Sequence, residues 1–177
     1  MSQDERTLDG FLLDLNILRA WRNESHSNHA SVIARVTSLG PAPLFLSIVT
    51  LGEVEFGHRI ENPLAPANVG FSEFIADQFP EPLEIRRSTI EYYGEIRARL
   101  FEKFAPKGSD GKRRRGLRVA QLNEPMTDHA LGVDENDVWI AAHALEYDLT
   151  LVTHDKMCHI RDVTSDLLRI QDWRVQI

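Results

Sequence analysis

Apolar residues fall into short runs and longer stripes that alternate along most of the chain. The runs FLLD, LFLSIV and LTLVT are continuous and partly β-branched, the pattern of strands buried on both faces of a parallel sheet. They predict strands over residues 10–14, 44–49 and 149–153. Stripes at helical spacing predict helices over 28–39, 50–60, 71–79, 87–104 and 137–147. The last is the most regular, with Val138, Ala141, Ala142 and Leu145 on one face. Brief strands at 83–85 and 167–170 complete the order, and GPAP, ENPLAPANVG and PEP supply the turns between segments. Strands alternating with helices make right-handed βαβ units, so the expected fold is α/β with a mainly parallel sheet covered on both faces.

In such sheets ligands gather at the carboxyl ends of the strands. Asp14 terminates the first apolar run, and Asp155 follows the LTLVT run across His154. Glu53 follows the second strand in TLGE, and Asp137 opens the helix in ENDVWIAAHALE. Each acid alone has an ordinary explanation: Asn136 or Asp137 could cap a helix, and Thr50 with Glu53 has the spacing of a capping box. Taken together they place four carboxylates on one rim. Two like charges ~4 Å apart repel by roughly 4 kcal/mol at an effective dielectric near 20, so several such pairs rival the stability of a domain. Oxygen donors without a cysteine or histidine cage suit a hard divalent cation, Mg²⁺ or Mn²⁺. Magnesium retains waters and accepts substrate phosphates, which points to phosphodiester chemistry.

Length and charge refine this picture. A chain of 177 residues fits one domain, 1–177, with a self-sufficient core. Its 42 % hydrophobic and 27 % charged residues are those of a soluble protein. The single Cys158 offers no internal disulfide and MSQDERTLDG is no secretory signal, so a cytoplasmic setting is expected. No apolar run reaches the ~20 residues of a membrane helix. A net charge of −7 argues against nucleic acid as a partner, yet KGSDGKRRRGLR gathers six basic residues against one acid within a loop insertion at about 105–133. Seven histidines lack HExxH or Cys/His spacing, so zinc is not expected. Arg97 is read as snorkelling or pairing with a helix acid, with phosphate contact as the alternative, and Trp139 as an outward residue suited to a subunit contact.

The blocks FLLDLNIL, LSIVTLGEVEFG, YYGEIRARL, ENDVWIAAHALEYDLTLVTHD and LRIQDW, in this order, resemble the PIN-domain ribonucleases, in particular the VapC-type toxins of bacterial toxin–antitoxin pairs. The resemblance implies a three-layer α/β/α sandwich, Mg²⁺ or Mn²⁺ dependence, endonucleolytic cleavage of RNA, a homodimer, and an antitoxin partner that occupies the acidic site. It assigns Asp14, Glu53, Asp137 and Asp155 as metal-binding and catalytic carboxylates. Asn16 and Thr153 become the residues that orient carboxylates and water. Lys112, Arg113, Arg114 and Arg115 are then candidates for RNA backbone contacts. Leu15 stands where the family usually has Thr, and the connection before the third acid is longer than usual. Two other readings compete: a non-catalytic PIN-like module that binds RNA or protein, and a phosphoacceptor receiver domain. The second would want adjacent acids after the first strand, where this chain has Leu13 before Asp14.

Overall fold

Three short, largely apolar tripeptides form most of the sheet. In the computed structural model, which describes residues 10–61, 69–114, 116–155 and 157–174, they are β1 (Phe11–Leu13), β2 (Leu44–Leu46) and β3 (Thr150–Val152). A two-residue β4 (Ile170–Gln171) joins them, and all pair in parallel in the order β2-β1-β3-β4. Leu12 lies opposite Phe45 on one side and Leu151 on the other. Alternation along the strands then sends successive residues to opposite faces. Leu12 and Leu151 enter one core, while Leu13, Leu46 and Val152 enter the other.

Helices cover both faces, giving the expected three-layer sandwich. Helices α1 (Leu15–Arg22), α2 (His29–Ser38), α3 (Ile48–Glu61) and α4 (Val69–Gln78) contribute Ile17, Leu18, Val32, Val54 and Ile75 to the core around Leu13. On the other face α5 (Arg87–Phe104), α6 (Glu135–Glu146) and α7 (Cys158–Val163) supply Ile96, Leu100, Val138, Ala141 and Ile160. Each fully buried leucine contributes about 1.5–3 kcal/mol, so the two faces are comparably anchored. The 105–133 segment is only partly a solvated insertion, because Val119, Leu122, Leu131 and Val133 belong to the second core. No helix among the described residues is long and apolar enough to cross a membrane.

Several sequence expectations need correction. The chain passes from β1 to α1 through the single residue Asp14, so the apolar pattern runs on without punctuation and hides a helix boundary. Helix α7 is equally hidden, being six residues long and entered through Met157 at φ 42°. The expected strand at 83–85 is one bridge from Leu83 to Ser47. Pro82 lacks an N–H, and the Glu84 carbonyl is turned to His143. Helix α3 begins at Ile48, two residues before Thr50, because the Ser47 hydroxyl accepts from the Val49 N–H at 3.0 Å. Thr50 is therefore not a cap: its hydroxyl is buried without a hydrogen-bond partner, and no capping box with Glu53 forms. Trp139 does not face outward alone. Its ring stacks on Tyr93 of α5, centroids 3.7 Å apart and planes within 9°.

The Ser47 hydroxyl also links the layers. His143 of α6 is wholly buried, with Nδ1 3.0 Å from Ser47 Oγ and Nε2 3.3 Å from the Glu84 carbonyl. A carbonyl only accepts, so Nε2 carries the proton and Nδ1 accepts from Ser47. Burial holds the imidazole pKa below its ordinary value, keeping that neutral tautomer. Ser47→Ala should strand a buried ring nitrogen and an α3 N–H, lowering unfolding free energy by about 1–3 kcal/mol. Urea denaturation checks this; an unshifted midpoint would mean that His143 finds another donor.

Candidate active site

The carboxyl end of β1 is built around Asp14. Its N–H donates to the Val152 carbonyl at 3.0 Å, continuing the β1–β3 ladder by one bond. Its side chain then turns to cap α1, Oδ1 accepting from the Leu15 N–H at 2.7 Å. The other oxygen, Oδ2, accepts from Thr153 Oγ1 at 2.7 Å and from Asn16 Nδ2 at 2.9 Å. Asn16 Nδ2 lies 3.1 Å from Asp155 Oδ2 as well, and Asn16 Oδ1 accepts from the His154 N–H at 3.2 Å. Thr153 Oγ1 accepts from the Asp155 N–H at 3.1 Å. Asn16 and Thr153 thus tie the first and fourth acids into one network across two strand ends.

Glu53 and Asp137 approach from the helices. Glu53 sits in the second turn of α3, and its Oε1 accepts from Asn136 Nδ2 at 2.9 Å. Asp134 caps α6, its Oδ1 receiving the N–H groups of Asn136 and Asp137 at 2.8 and 3.1 Å. Asp137 returns the bond, with Oδ2 accepting from the Asp134 N–H at 2.8 Å. The sequence treats Asn136 only as a possible cap; its amide instead orients Glu53. Asp134 is likewise more than one of several acids, since it sets the α6 terminus and adds charge to the rim. The signal for both is the run DEND, in which successive side chains of one helical turn must point to different neighbours.

Electrostatics couple these groups. Burial raises the pKa of Asp14 above the ordinary carboxyl range, and the charges of Asp155 and Asp134 add to the rise against the hydrogen bonds from Thr153 and Leu15. Burial also raises Glu53, assisted by Asp14 and Asp134, while the Asn136 bond and Arg19 oppose it. Asp137 is pushed up to about 7, first by burial and then by Asp134, Asp14 and Asp155, against its bond from the Asp134 N–H. Among the described residues no lysine or arginine forms an ion pair with Asp14, Glu53, Asp137 or Asp155. Nor do any three His, Cys, Asp or Glu of the described residues stand close enough to grip one metal ion together. The four acids share a rim and a field, but not a closed cage.

The remaining candidates lie elsewhere. Arg113 donates to the Ala105 carbonyl at 2.6 Å, closing the end of α5, while Lys112 and Arg114 are exposed. Arg115 is outside the described residues. Of the readings open for Arg97, the structure shows pairing with a helix acid, Glu135 of α6, at 3.2 Å.

Among solved structures, VapBC2 from Rickettsia felis bound to a DNA fragment from its promoter matches with TM-score 0.64 and 21% identity, over 92% of this chain and 98% of that one. VapBC-1 from nontypeable Haemophilus influenzae matches with TM-score 0.61 and 21% identity, over 93% and 98%. FitAcB from Neisseria gonorrhoeae follows with TM-score 0.57 and 19% identity, over 92% and 97%. At these identities the likeness is one of fold. No curated protein sequence matches significantly. The family model described as PIN domain matches residues 11–164, a span that holds β1 to β3 and all four rim carboxylates, and the chain belongs to the PIN domain family.

Proposed function

We propose that this protein is a metal-dependent endoribonuclease, the toxin of a toxin–antitoxin pair, hydrolysing RNA phosphodiester bonds at the rim formed by Asp14, Glu53, Asp137 and Asp155. One observation carries the reading: coupled carboxylates converge at the carboxyl edge of the sheet without a basic partner among the described residues, and three of them hold protons above the ordinary range. An oxygen-only donor set of this kind fits Mg²⁺ or Mn²⁺, which bind through few carboxylates and keep their waters, so a closed cage of three acids is not required. Such a cation supplies positive charge against the scissile phosphate and makes water a stronger nucleophile near neutral pH.

The chain's own residues do the positioning. Asn16 hydrogen-bonds Asp14 and Asp155, Thr153 hydrogen-bonds Asp14, and Asn136 hydrogen-bonds Glu53, so neutral donors orient the rim. Exposed Lys112 and Arg114, with Arg113 and Arg115, add phosphate contacts that set affinity without reading bases. The likeness of the sequence blocks to VapC-type toxins supports an antitoxin partner, a homodimer and a cytoplasmic setting. A non-catalytic PIN-like module is the second reading, favoured by the absence, among the described residues, of three potential ligands close enough to grip one ion. Incubating the purified protein with RNA and DNA oligonucleotides and Mn²⁺ decides between them, cleavage of RNA alone being the expected result.

The metal and the Asp137 proton compete for one oxygen pair. In the metal-free protein the Asp137 pKa is about 7 against 3.8 in an unfolded chain. Between those values the folded state holds a proton that the unfolded state has lost, so the Asp137 contribution to stability declines as pH rises through about 7. Melting temperature without metal should therefore fall from about pH 5 to about pH 7.5, and the rise produced by Mn²⁺ should grow over the same interval. Asp137→Asn should flatten the first trend, and Asp14→Asn should remove most of the Mn²⁺ effect while leaving the metal-free fold intact. A Mn²⁺ response preserved in Asp14→Asn would exclude that residue from the site.

Glu53→Gln separates charge from geometry. Glutamine retains an oxygen that accepts from Asn136, so folding should match the parent, whereas a cation ligand needs the charge. Cleavage with saturating Mn²⁺ should fall at least about a hundredfold. A near-parental rate would reduce Glu53 to a structural acceptor. Replacing Arg113, Arg114 and Arg115 by Ala should weaken RNA binding across sequences and flatten its salt dependence. Unaltered affinity and salt slope would leave the loop as a solvated surface.

A further inference from the structure

A polar groove of about 770 Å³ opens beside the acidic rim, and its floor is the outward face of α1. Asn16, Arg19 and Arg22 follow one another at helical spacing along that face and line the groove, with His26 beyond the helix end. His154 and Phe71 also line it. The groove is continuous with the rim through two residues: Asn16, whose amide touches both Asp14 and Asp155, and His154, the neighbour of Asp155 in sequence.

Two features make this more than a surface hollow. Among the described residues Arg19 and Arg22 form no salt bridge and no side-chain hydrogen bond, although most other arginines of the chain are engaged. A methyl group at Gly57 would stand 3.7 Å from Arg19 Nη2, so this guanidinium lies against α3 one turn beyond Glu53. The second feature is His154, whose Nε2 is buried without a hydrogen-bond partner. Among the described residues that line it Glu24 is the only acid, against two arginines and two histidines.

We infer that this groove is the track for the RNA strand on one side of the scissile bond, with Arg19 and Arg22 holding successive backbone phosphates that lead into the carboxylate rim. The inference rests on the nuclease reading above and names where its substrate lies. Guanidinium groups match phosphate oxygens in a planar fork, and an aromatic ring beside a basic track accommodates bases without selecting them. The arrangement also resolves an electrostatic difficulty. An acidic rim repels a polyanion, and two cations beside it that have no ion-pair partner among the described residues draw the strand to the rim's edge.

The test is binding of a fluorescent single-stranded RNA of mixed sequence to the full chain, followed by anisotropy across a salt series in Mn²⁺. Wild type is compared with Arg19→Ala/Arg22→Ala and with the charge reversal Arg19→Glu. Both arginines are exposed, so the variants should melt like wild type without metal, and Arg19→Ala/Arg22→Ala should still show a Mn²⁺-induced melting shift. The double variant should bind at least about tenfold more weakly, with the slope of log affinity against log salt reduced by about 1.4, the value for two released contacts on a single strand. Arg19→Glu should weaken binding further. Unchanged affinity and slope in both variants, with wild type binding and cleaving RNA, would overturn the groove and leave the nuclease reading standing. Wild type that neither binds nor cleaves RNA would overturn both, and the intact Mn²⁺ shift then separates a cation-binding module from an unfolded preparation.

Discussion

Mutual repulsion among carboxylates that share one edge of a small sheet is the constraint to which the rest of the molecule answers. Asp14 is nearly buried and sits within the fields of Asp155 and Asp134, while Asp137 feels all three. Without neutralisation such a group would splay apart. The chain prevents this with neutral donors rather than cations: Thr153, Asn16 and Asn136 each give hydrogens to carboxylate oxygens without cancelling their charge. The negative potential stays available at the rim, and the side chains that create it remain oriented.

That arrangement explains why the scaffold is so economical with regular structure. Strands of two and three residues suffice because the parallel ladder only has to bring the ends of β1 and β3 into register. The stitching is completed beyond the strands by the Asp14 N–H to the Val152 carbonyl and by the Asn16 and Thr153 side chains. On the far side, Ser47 and His143 bind the start of α3 to the middle of α6, the two helices that deliver Glu53 and Asp137. Fold and site therefore share bonds.

Much of this was legible in the sequence because strand ends and helix starts carry local signatures. Short apolar runs ending in an acid marked Asp14 and Asp155, and the stripe Val138, Ala141, Ala142, Leu145 fixed the inward side of α6. Features set by tertiary partners were not legible. Nothing local announces that Ser47 rather than Thr50 caps α3, since the choice depends on His143 arriving from almost a hundred residues away. The α1 boundary was masked because Asp14 ends a strand and caps a helix at once. Trp139 was misjudged for a similar reason: its place on the helix was read correctly, but Tyr93 of a separate helix covers the ring.

The Tyr93–Trp139 stack has an optical consequence. Trp139 lies two residues from Asp137 on α6 and one turn from the Asp134 cap, whereas Trp21 and Trp173 are held against phenylalanines in the other core. Indole emission responds to nearby charge and to ring contact, so the chain carries a native fluorophore on the same helix as Asp137 and two more whose rings pack against phenylalanines.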